Sequence, residues 1–428
     1  MIKSFVATNA KHLANFLSFV VTRCLAIAVF AISVPIFINQ TSGEEYGIVA
    51  IGFSLLGLST LLDVGIGFVI TQSVGRSLAR LNRRHAVIIS QLYWVYLFTA
   101  IAISVSALTI LSLFSTLSRD ENIFYGWLAL ILPFLATSGT VAAVFQAHND
   151  LVYLNGSRFL FEMAKSAAFL IAGLIFHSHV AIGPTLIAFA AIRAVIDVIY
   201  LNRRLGYSFF WRGVSALRRV RRLVVMGIPV MASVLLTVAV NIFDKVLVAR
   251  WFSREAVTYY SLAFDLNSKA YLLMHALNSA MFASLLRAHA VKKSQSSQIK
   301  VGLLAVTAIA CVFYLPFSVF AEEIISIWVN PTIAESSAPL AKVMAFASIA
   351  YLYGNVFENA LLARGKAKAV FVIYSVSVFS YFIFLSIAPR FLGLIGFMWA
   401  YLLLCGLFCA GAALAYQCHH VTYSRSAI

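Results

Sequence analysis

Five basic residues of this chain lie inside long apolar segments, where a charged side chain must be compensated by another group. They are Arg23, Lys165, Arg193, Lys245 and Lys269. An arginine or lysine at the centre of a membrane-spanning helix costs about 2.5–3.5 kcal/mol on insertion scales, so such a residue faces a polar interior, a partner or a ligand. A guanidinium offers two parallel donors to an anion, and an ammonium offers a compact charge. We therefore treat all five as candidate substrate-binding residues.

Three of the five have a carboxylate within one helical turn. Glu162 precedes Lys165 by three residues, Asp197 follows Arg193 by four, and Asp265 precedes Lys269 by four. Side chains at these spacings meet on a helix surface. Local ion pairs therefore explain these cations at least as well as a bound substrate does.

Arg23 and Lys245 lack such a facing acid. Arg23 lies about 17 Å into its apolar segment at 1.5 Å per residue, so a group on another helix, or an anionic ligand, must compensate it. Asp244 is adjacent to Lys245 and points elsewhere on a helix. Because Lys245 lies near the outer end of its segment, the sequence predicts that it snorkels to the membrane surface.

Four acids inside apolar segments are candidates for ion coupling: Asp63, Asp244, Asp265 and Glu358. A carboxyl group in an apolar site can take up and release a proton. Asp63 precedes Gly65 and Gly67, which loosen a helix and can expose carbonyls to a cation. Hydrogen bonding within the helical bundle is the alternative for Asp63. The sequence does not distinguish among proton coupling, sodium coupling and the absence of ion coupling.

The elements that position these residues are long apolar helices. The chain has 428 residues, of which 62% are hydrophobic, and about 20 residues cross a bilayer core about 30 Å thick. Hydrophobic runs therefore predict about twelve helical spans, since backbone polar groups in lipid must be satisfied within each segment. The first six are Leu13–Ile38, Gly47–Val74, Ala86–Phe114, Phe124–Ala147, Phe159–Phe176 and Ile182–Leu201. The second six are Leu223–Trp251, Val257–Leu286, Val301–Phe320, Leu340–Ala363, Ala369–Ala388 and Leu392–Tyr416.

Basic residues between the spans predict the orientation. Loops on one side, with the two termini, carry 22 lysines and arginines, and loops on the other side carry about five. The positive-inside rule therefore places both termini in the cytoplasm of a multi-pass membrane protein. The net charge of +17 does not indicate a nucleic-acid partner, because these cations border membrane spans and no recognition motif accompanies them.

The chain is predicted to consist of two similar halves. Six spans in each half, an even number, give parallel repeats related by an axis along the membrane normal. We expect an all-α fold with an N-terminal lobe over 1–201, a basic cytoplasmic linker over 202–222 and a C-terminal lobe over 223–428, arranged around a central cavity. The linker's basic run, 217–222, is interpreted as a topology determinant that contacts anionic membrane lipids.

Five short segments carry a resemblance to a known family. They are Glu45–Gly47, Leu61–Gly67, Gly227–Pro229, Asp244–Lys245 and Leu361–Lys366. Their order and spacing over nearly the whole chain resemble the polysaccharide transporters of the multidrug/oligosaccharidyl-lipid/polysaccharide (MOP) exporter superfamily, which includes the Wzx-type O-antigen repeat-unit flippases and has a MATE-like architecture. The lipid II flippases of the superfamily have additional C-terminal spans, which this chain lacks.

The resemblance implies a flippase of the bacterial inner membrane. Its substrate would be an undecaprenyl-diphosphate-linked oligosaccharide, moved from the cytoplasmic to the periplasmic leaflet by alternating access, and polysaccharide polymerase machinery would be a candidate partner. Arg23 would then contact the diphosphate. A drug or cation antiporter of the same superfamily is the first alternative, although it would favour an acidic cavity. A membrane-embedded glycosyltransferase or O-antigen polymerase is the second, although such enzymes carry a substantial periplasmic loop.

Signals for cofactors, metals and soluble-domain catalysis are weak. The sequence has no phosphate-binding glycine loop and no paired histidines at metalloprotease spacing. Cys405 and Cys409 share a helix face, which predicts packing rather than a redox site. His419 and His420 beside Cys418 fall short of the four convergent ligands of a structural metal site. We therefore expect no cofactor, no metal and no enzymatic activity.

Overall fold

The computed structural model describes residues 2–57, 83–113, 117–148, 150–206, 217–268, 281, 284–285 and 295–425. Over these ranges the chain is helical and contains no strand. In the N-terminal part the helices are α1 (Ile2–Gln40), α2 (Gly43–Leu56), α3 (Arg83–Leu113), α4 (Arg119–Ala147), α5 (Leu151–Ile171) and α6 (Ile182–Leu205). They continue as α7 (Leu217–Trp251), α8 (254–268), α9 (Ser296–Ile309), α10 (Leu315–Val319), α11 (Ala321–Trp328), α12 (Pro331–Ala363), α13 (Ala367–Leu392) and α14 (Ile395–Arg425).

The prediction of a polytopic all-α membrane protein is confirmed. Within the described ranges, nine helical segments are long and apolar enough to cross a membrane. They coincide with nine of the predicted spans. The other three, Gly47–Val74, Leu223–Trp251 and Val257–Leu286, each include residues whose backbone or side chains lie outside the described part of the chain.

Local sequence signals fix where several helices begin. The Ser118 hydroxyl accepts a hydrogen bond from the Glu121 backbone N–H at 3.2 Å, and the Glu121 carboxylate accepts from the Ser118 N–H at 2.8 Å. This reciprocal capping satisfies two donors at the start of α4. Asn330 caps α12 in a similar way through the Ile333 N–H at 2.9 Å, with Pro331 at the first helical position.

The chain divides into two compact units, Met1–Ile242 and Phe243–Ile428, and the division falls within α7. Part of the predicted linker, 207–216, lies outside the described residues, so the predicted lobe boundaries stay a prediction. In the first unit α4 packs between α3 and α6, and α1 packs on α5. In the second unit α12 packs along α14, and α13 lies against α14.

Exposed apolar side chains mark the faces that need lipid. Five residues of α13 at helical spacing are more than half exposed: Val372, Val376, Phe379, Ile383 and Ile387. The opposite face of α13 buries Val378, Tyr381 and Leu385. A helix with apolar side chains on its exposed face is stable in hydrocarbon and not in water. The pattern therefore supports α13 as a membrane span.

An acid and a histidine join α2 to the connection between α5 and α6. Glu45 Oε2 accepts a hydrogen bond from the His179 backbone N–H at 2.8 Å and lies 2.5 Å from His179 Nδ1. Glu45 precedes the predicted second span. Burial alone would raise the pKa of Glu45, but the hydrogen bonds from His179 and the attraction of its ring outweigh burial and hold that pKa below its ordinary value of 4.5.

We predict that Glu45→Gln lowers the thermal unfolding midpoint of the purified protein by a few degrees near pH 7. Because the folded-state pKa is lowered, the stabilisation by the carboxylate is present above about pH 4.5 and is lost as the pH falls through the lowered value. The gap between wild type and variant should therefore close as the pH falls through this lowered pKa. Glu44→Gln, an exposed change in the same helical turn, controls for the helix dipole. A gap that persisted unchanged at low pH would contradict this account.

Candidate functional site

The best-defined polar cluster of the first unit lies between α5 and α6. Arg193 Nε donates to Ser157 Oγ at 2.9 Å and lies 3.5 Å from Asp197 Oδ2. Ser157 Oγ in turn donates to Asp197 Oδ1 at 2.8 Å, and the Tyr153 hydroxyl donates to the same oxygen at 2.7 Å. The Asp197 side chain is 3% exposed. This buried carboxylate is therefore satisfied by three groups, and it fixes the direction of the Arg193 side chain.

The aromatic ring of Phe161 connects Arg193 to Lys165. Lys165 Nζ lies 5.2 Å from the ring centroid, and Arg193 Cζ lies 5.4 Å from it. A ring face attracts a cation at these distances. Lys165 also forms the predicted ion pair with Glu162, at 3.0 Å. The structure thus brings two of the five candidate cations together around one side chain.

The guanidinium of Arg193 is only partly used by the protein. Its contacts with other described residues are made through Nε and through the face of the group over Phe161. Neither terminal nitrogen, Nη1 or Nη2, has a hydrogen-bond partner among those residues, and neither is fully buried. The paired donors of a guanidinium match two oxygens of a phosphate or carboxylate. Arg193 is therefore held in place with its anion-binding end free within the described part of the chain.

The α5 residues of this cluster have a regular spacing that is visible in the sequence. Tyr153, Ser157, Phe161 and Lys165 follow one another at intervals of four and so share one face of α5. Sequence reasoning found Lys165 and its acid, and it found Arg193 with Asp197. It missed Ser157, Phe161 and Tyr153, because a serine or an aromatic residue in an apolar helix gives no charge signal.

In the second unit, Asp244 and Lys245 lie in a buried environment. The Tyr260 hydroxyl donates to Asp244 Oδ2 at 2.5 Å, and Oδ1 has no partner among the described residues. Lys245 is only 9% exposed, and its Nζ lies 5.9 Å from the Phe264 ring centroid. The structure therefore buries Lys245, whereas the sequence predicted that it snorkels to the surface. The ring of Phe264 on α8 provides part of its environment.

Glu358 differs from the other described acidic candidates. It lies on α12, is half-buried, and forms neither a hydrogen bond nor an ion pair with any described residue. Asp265 on α8 does have interaction partners. An acid without a fixed partner can change its protonation without breaking a contact. Among the described candidates for ion coupling, Glu358 therefore meets this condition better than Asp244 and Asp265.

The remaining candidates are less informative. Arg23 is half-buried in α1 and interacts with neighbouring groups, so it is not an unpaired cation. Lys269 and Asp63 lie outside the described residues. Across the described ranges, no group of three or more His, Cys, Asp or Glu side chains is placed to hold a metal ion. The roles of Arg23, Lys269 and Asp63 stay predictions.

Solved structures of similar fold are transporters. An inward-facing multidrug-resistance MATE family transporter of the MOP superfamily has a TM-score of 0.78 at 12% identity, with 94% of this chain and 96% of that chain covered. A Vibrio cholerae MATE transporter has a TM-score of 0.71 at 15% identity, covering 97% and 98%. A MOP superfamily transporter from Pyrococcus furiosus has a TM-score of 0.69 at 13% identity, covering 94% and 95%. These likenesses confirm the MATE-like fold.

Two family models match the sequence. The model described as "Polysaccharide biosynthesis protein" matches residues 11–282, and the MatE model matches residues 229–387. No curated protein matches the chain. Because the first model covers more than half of the sequence, the chain belongs to the polysaccharide biosynthesis protein family, and it has the fold of the MOP superfamily of membrane transporters.

Proposed function

We propose that the protein is a flippase for undecaprenyl-diphosphate-linked oligosaccharide repeat units of a surface polysaccharide such as O-antigen. It would act in the bacterial inner membrane with both termini in the cytoplasm, moving its substrate from the cytoplasmic to the periplasmic leaflet by alternating access. The observation that carries the proposal is the free end of the Arg193 guanidinium beside Lys165, inside a membrane protein of a polysaccharide biosynthesis family.

The chemistry of the cluster favours an anionic substrate. Lys165 and Arg193 lie within 5.4 Å of one ring centroid, and a diphosphate presents several oxygens that two neighbouring cations can share. Glu162 and Asp197 balance the two charges when the site is empty. An anion can replace the exposed Glu162 as the partner of Lys165, whereas the buried Asp197 stays with Arg193 as its support.

The drug or cation antiporter is supported less well by this cluster. A cationic drug would meet Lys165 and Arg193, which repel it, so a cation exporter would need its acidic groups elsewhere. The Pyrococcus furiosus neighbour is described as a MOP superfamily transporter whose binding pocket has reversed polarity. The same fold therefore accommodates binding sites of different charge. Because the fold alone does not determine the charge of the substrate, the presence of Lys165 and Arg193 is the reason to propose an anionic one.

Replacing the two cations should weaken transport to different extents. We predict that Arg193→Lys reduces flipping because it keeps the charge and loses the paired donors, and that Arg193→Ala reduces it more. A hydrogen bond to a charged group contributes about 1.5–3 kcal/mol, so the apparent affinity should fall by about tenfold or more. The measurement is leaflet-resolved flipping of undecaprenyl-diphosphate oligosaccharide in proteoliposomes, read out with a membrane-impermeant lectin.

Folding must be separated from binding in that experiment, because Arg193→Ala also leaves Asp197 buried with fewer partners. Lys165→Gln serves this purpose, since both members of the Lys165–Glu162 pair are substantially exposed, at 27% and 39%. It should fold normally and still reduce flipping. Arg203→Gln, an exposed cation at the end of α6, is the matched control and should have no effect. Normal flipping by Lys165→Gln and Arg193→Lys would refute the proposed site.

Deletion of the protein tests the class of function. We predict that a deletion strain accumulates undecaprenyl diphosphate bearing a complete repeat unit on the cytoplasmic leaflet. A polymerase defect would instead leave single units displayed at the cell surface. Unchanged polysaccharide together with new drug sensitivity would indicate the antiporter. Lipid extraction with mass spectrometry, combined with surface labelling, distinguishes the three outcomes.

If transport is coupled to protons, Glu358 is the residue that we propose to carry them. We predict that an imposed proton gradient accelerates flipping by the wild type and that Glu358→Gln abolishes this acceleration while basal flipping continues. Glu335→Gln, an exposed acid on the same helix, should respond like the wild type. Equal acceleration in Glu358→Gln would rule out this role, and acceleration by sodium alone would show that the coupling ion is not a proton.

A further inference from the structure

A second arginine site lies where α12 turns into α13. Arg364 follows the last residue of α12, and Gly365 has a φ of +72°, which a residue without Cβ adopts without strain. Arg364 Nε donates to Gln295 Oε1 at 2.8 Å, and Nη2 donates to the Tyr416 hydroxyl at 3.2 Å. The guanidinium carbon lies 4.4 Å from the Tyr416 ring centroid. The group is thus fixed in one orientation by neutral partners.

No carboxylate neutralises this guanidinium among the described residues. Arg364 has no ion pair there, and its Nη1 is buried without a hydrogen-bond acceptor. Leaving the donors of a charged group buried and unsatisfied is unfavourable. An arrangement that only braced helices would gain from an acid at this position. Within the described ranges the structure instead keeps a positive charge without a carboxylate partner.

The surrounding sequence increases the positive potential. Lys366 and Lys368 are exposed and flank the start of α13, whose first backbone N–H groups add to the local positive charge. No aspartate or glutamate occurs between Asp265 and Glu322, and none follows Glu358. We call Arg364, Lys366 and Lys368 the Arg364 cluster.

The residues 216 positions earlier, in the first unit, form different contacts. An interval of 216 residues separates His148 from Arg364 and Tyr200 from Tyr416. His148 Nδ1 contacts its own helix, at Val144 O and 2.9 Å. Tyr200 stacks on Tyr153, with ring centroids 3.8 Å apart. At this sequence interval the first unit has an aromatic pair, whereas the second has a cation beside a tyrosine.

We propose that the Arg364 cluster binds the phosphate group of an anionic membrane lipid. The ligand chemistry is a phosphate ester at the membrane surface, from either of two sources: the headgroup of an anionic phospholipid, or the diphosphate of the lipid-linked substrate. Arg364 supplies a fixed positive charge from the protein side, and the exposed Lys366 and Lys368 supply ammonium donors at the surface. Only the second source rests on the proposed function; the first would hold for any membrane protein with this cluster.

Lipid binding to purified wild type and variants tests the proposal. The probes are phosphatidylglycerol, phosphatidylcholine as the zwitterionic reference, and undecaprenyl diphosphate, each titrated in detergent and followed by native mass spectrometry. The wild type should bind at least one anionic probe more tightly than phosphatidylcholine, and the affinity should fall with added salt. Joint replacement Lys366→Gln and Lys368→Gln should weaken that binding by about tenfold, as should Arg364→Lys. Arg390→Gln, an exposed cation at the other end of α13, should bind like the wild type.

The variants also distinguish lipid binding by the Arg364 cluster from a purely structural role of Arg364. The side chains of the two lysines are exposed and form no hydrogen bond or ion pair with a described residue, so their joint replacement should leave the unfolding midpoint unchanged. If that variant binds all probes as the wild type does, and only Arg364 variants lose stability, Arg364 is a structural brace and the proposal is wrong. Preference for phosphatidylglycerol identifies a phospholipid site, and preference for undecaprenyl diphosphate identifies a substrate site. A failure of flipping with intact lipid binding would refute the proposed function alone.

Discussion

Charge inside an apolar helix is unfavourable unless another group compensates it, and this constraint organises the polar part of the molecule. Asp197 is almost completely buried, and three donors from α5 and α6 surround it. Lys165 meets Glu162 and the Phe161 ring. The partners come from helices that must pack closely, so the same contacts that neutralise the charges also hold α5 against α6.

Departures from that rule are what suggest function. Among the described residues, the terminal nitrogens of Arg193, the carboxylate of Glu358 and Nη1 of Arg364 lack protein partners. A folded protein retains such groups when a ligand or an ion completes them. In the first unit the incomplete group is a cation beside a second cation, and this combination argues for an anionic substrate within a fold that also serves multidrug transporters.

The sequence predicted the helices well because hydrophobic run length is a strong signal for membrane spans. It also predicted the Lys165–Glu162 and Arg193–Asp197 pairs, since their spacing on one helix determines that they meet. It did not predict Ser157 and Tyr153 as partners of Asp197, which depend on how α5 packs against α6. The burial of Lys245 was missed for a similar reason, because the position of Phe264 relative to α7 is a tertiary property.

Arg364 illustrates a different limit of sequence reasoning. Counted with its basic neighbours it is one of many topology signals, and nothing in its local sequence distinguishes it from them. Its contacts with Gln295 and Tyr416 come from residues 69 positions before it and 52 after it. Such long-range contacts decide whether a basic residue is solvated or held in a fixed orientation, and they become visible only in the folded chain.

On the function proposed above, a lipid-linked diphosphate binds at the cations between α5 and α6. A cryo-electron microscopy structure of the protein with bound undecaprenyl diphosphate tests it most directly. Phosphate oxygens should lie about 3 Å from Nη1 or Nη2 of Arg193, with Lys165 turned from Glu162 towards the ligand. A diphosphate bound away from α5 and α6, with the Arg193 terminal nitrogens engaged by protein acceptors, would contradict it.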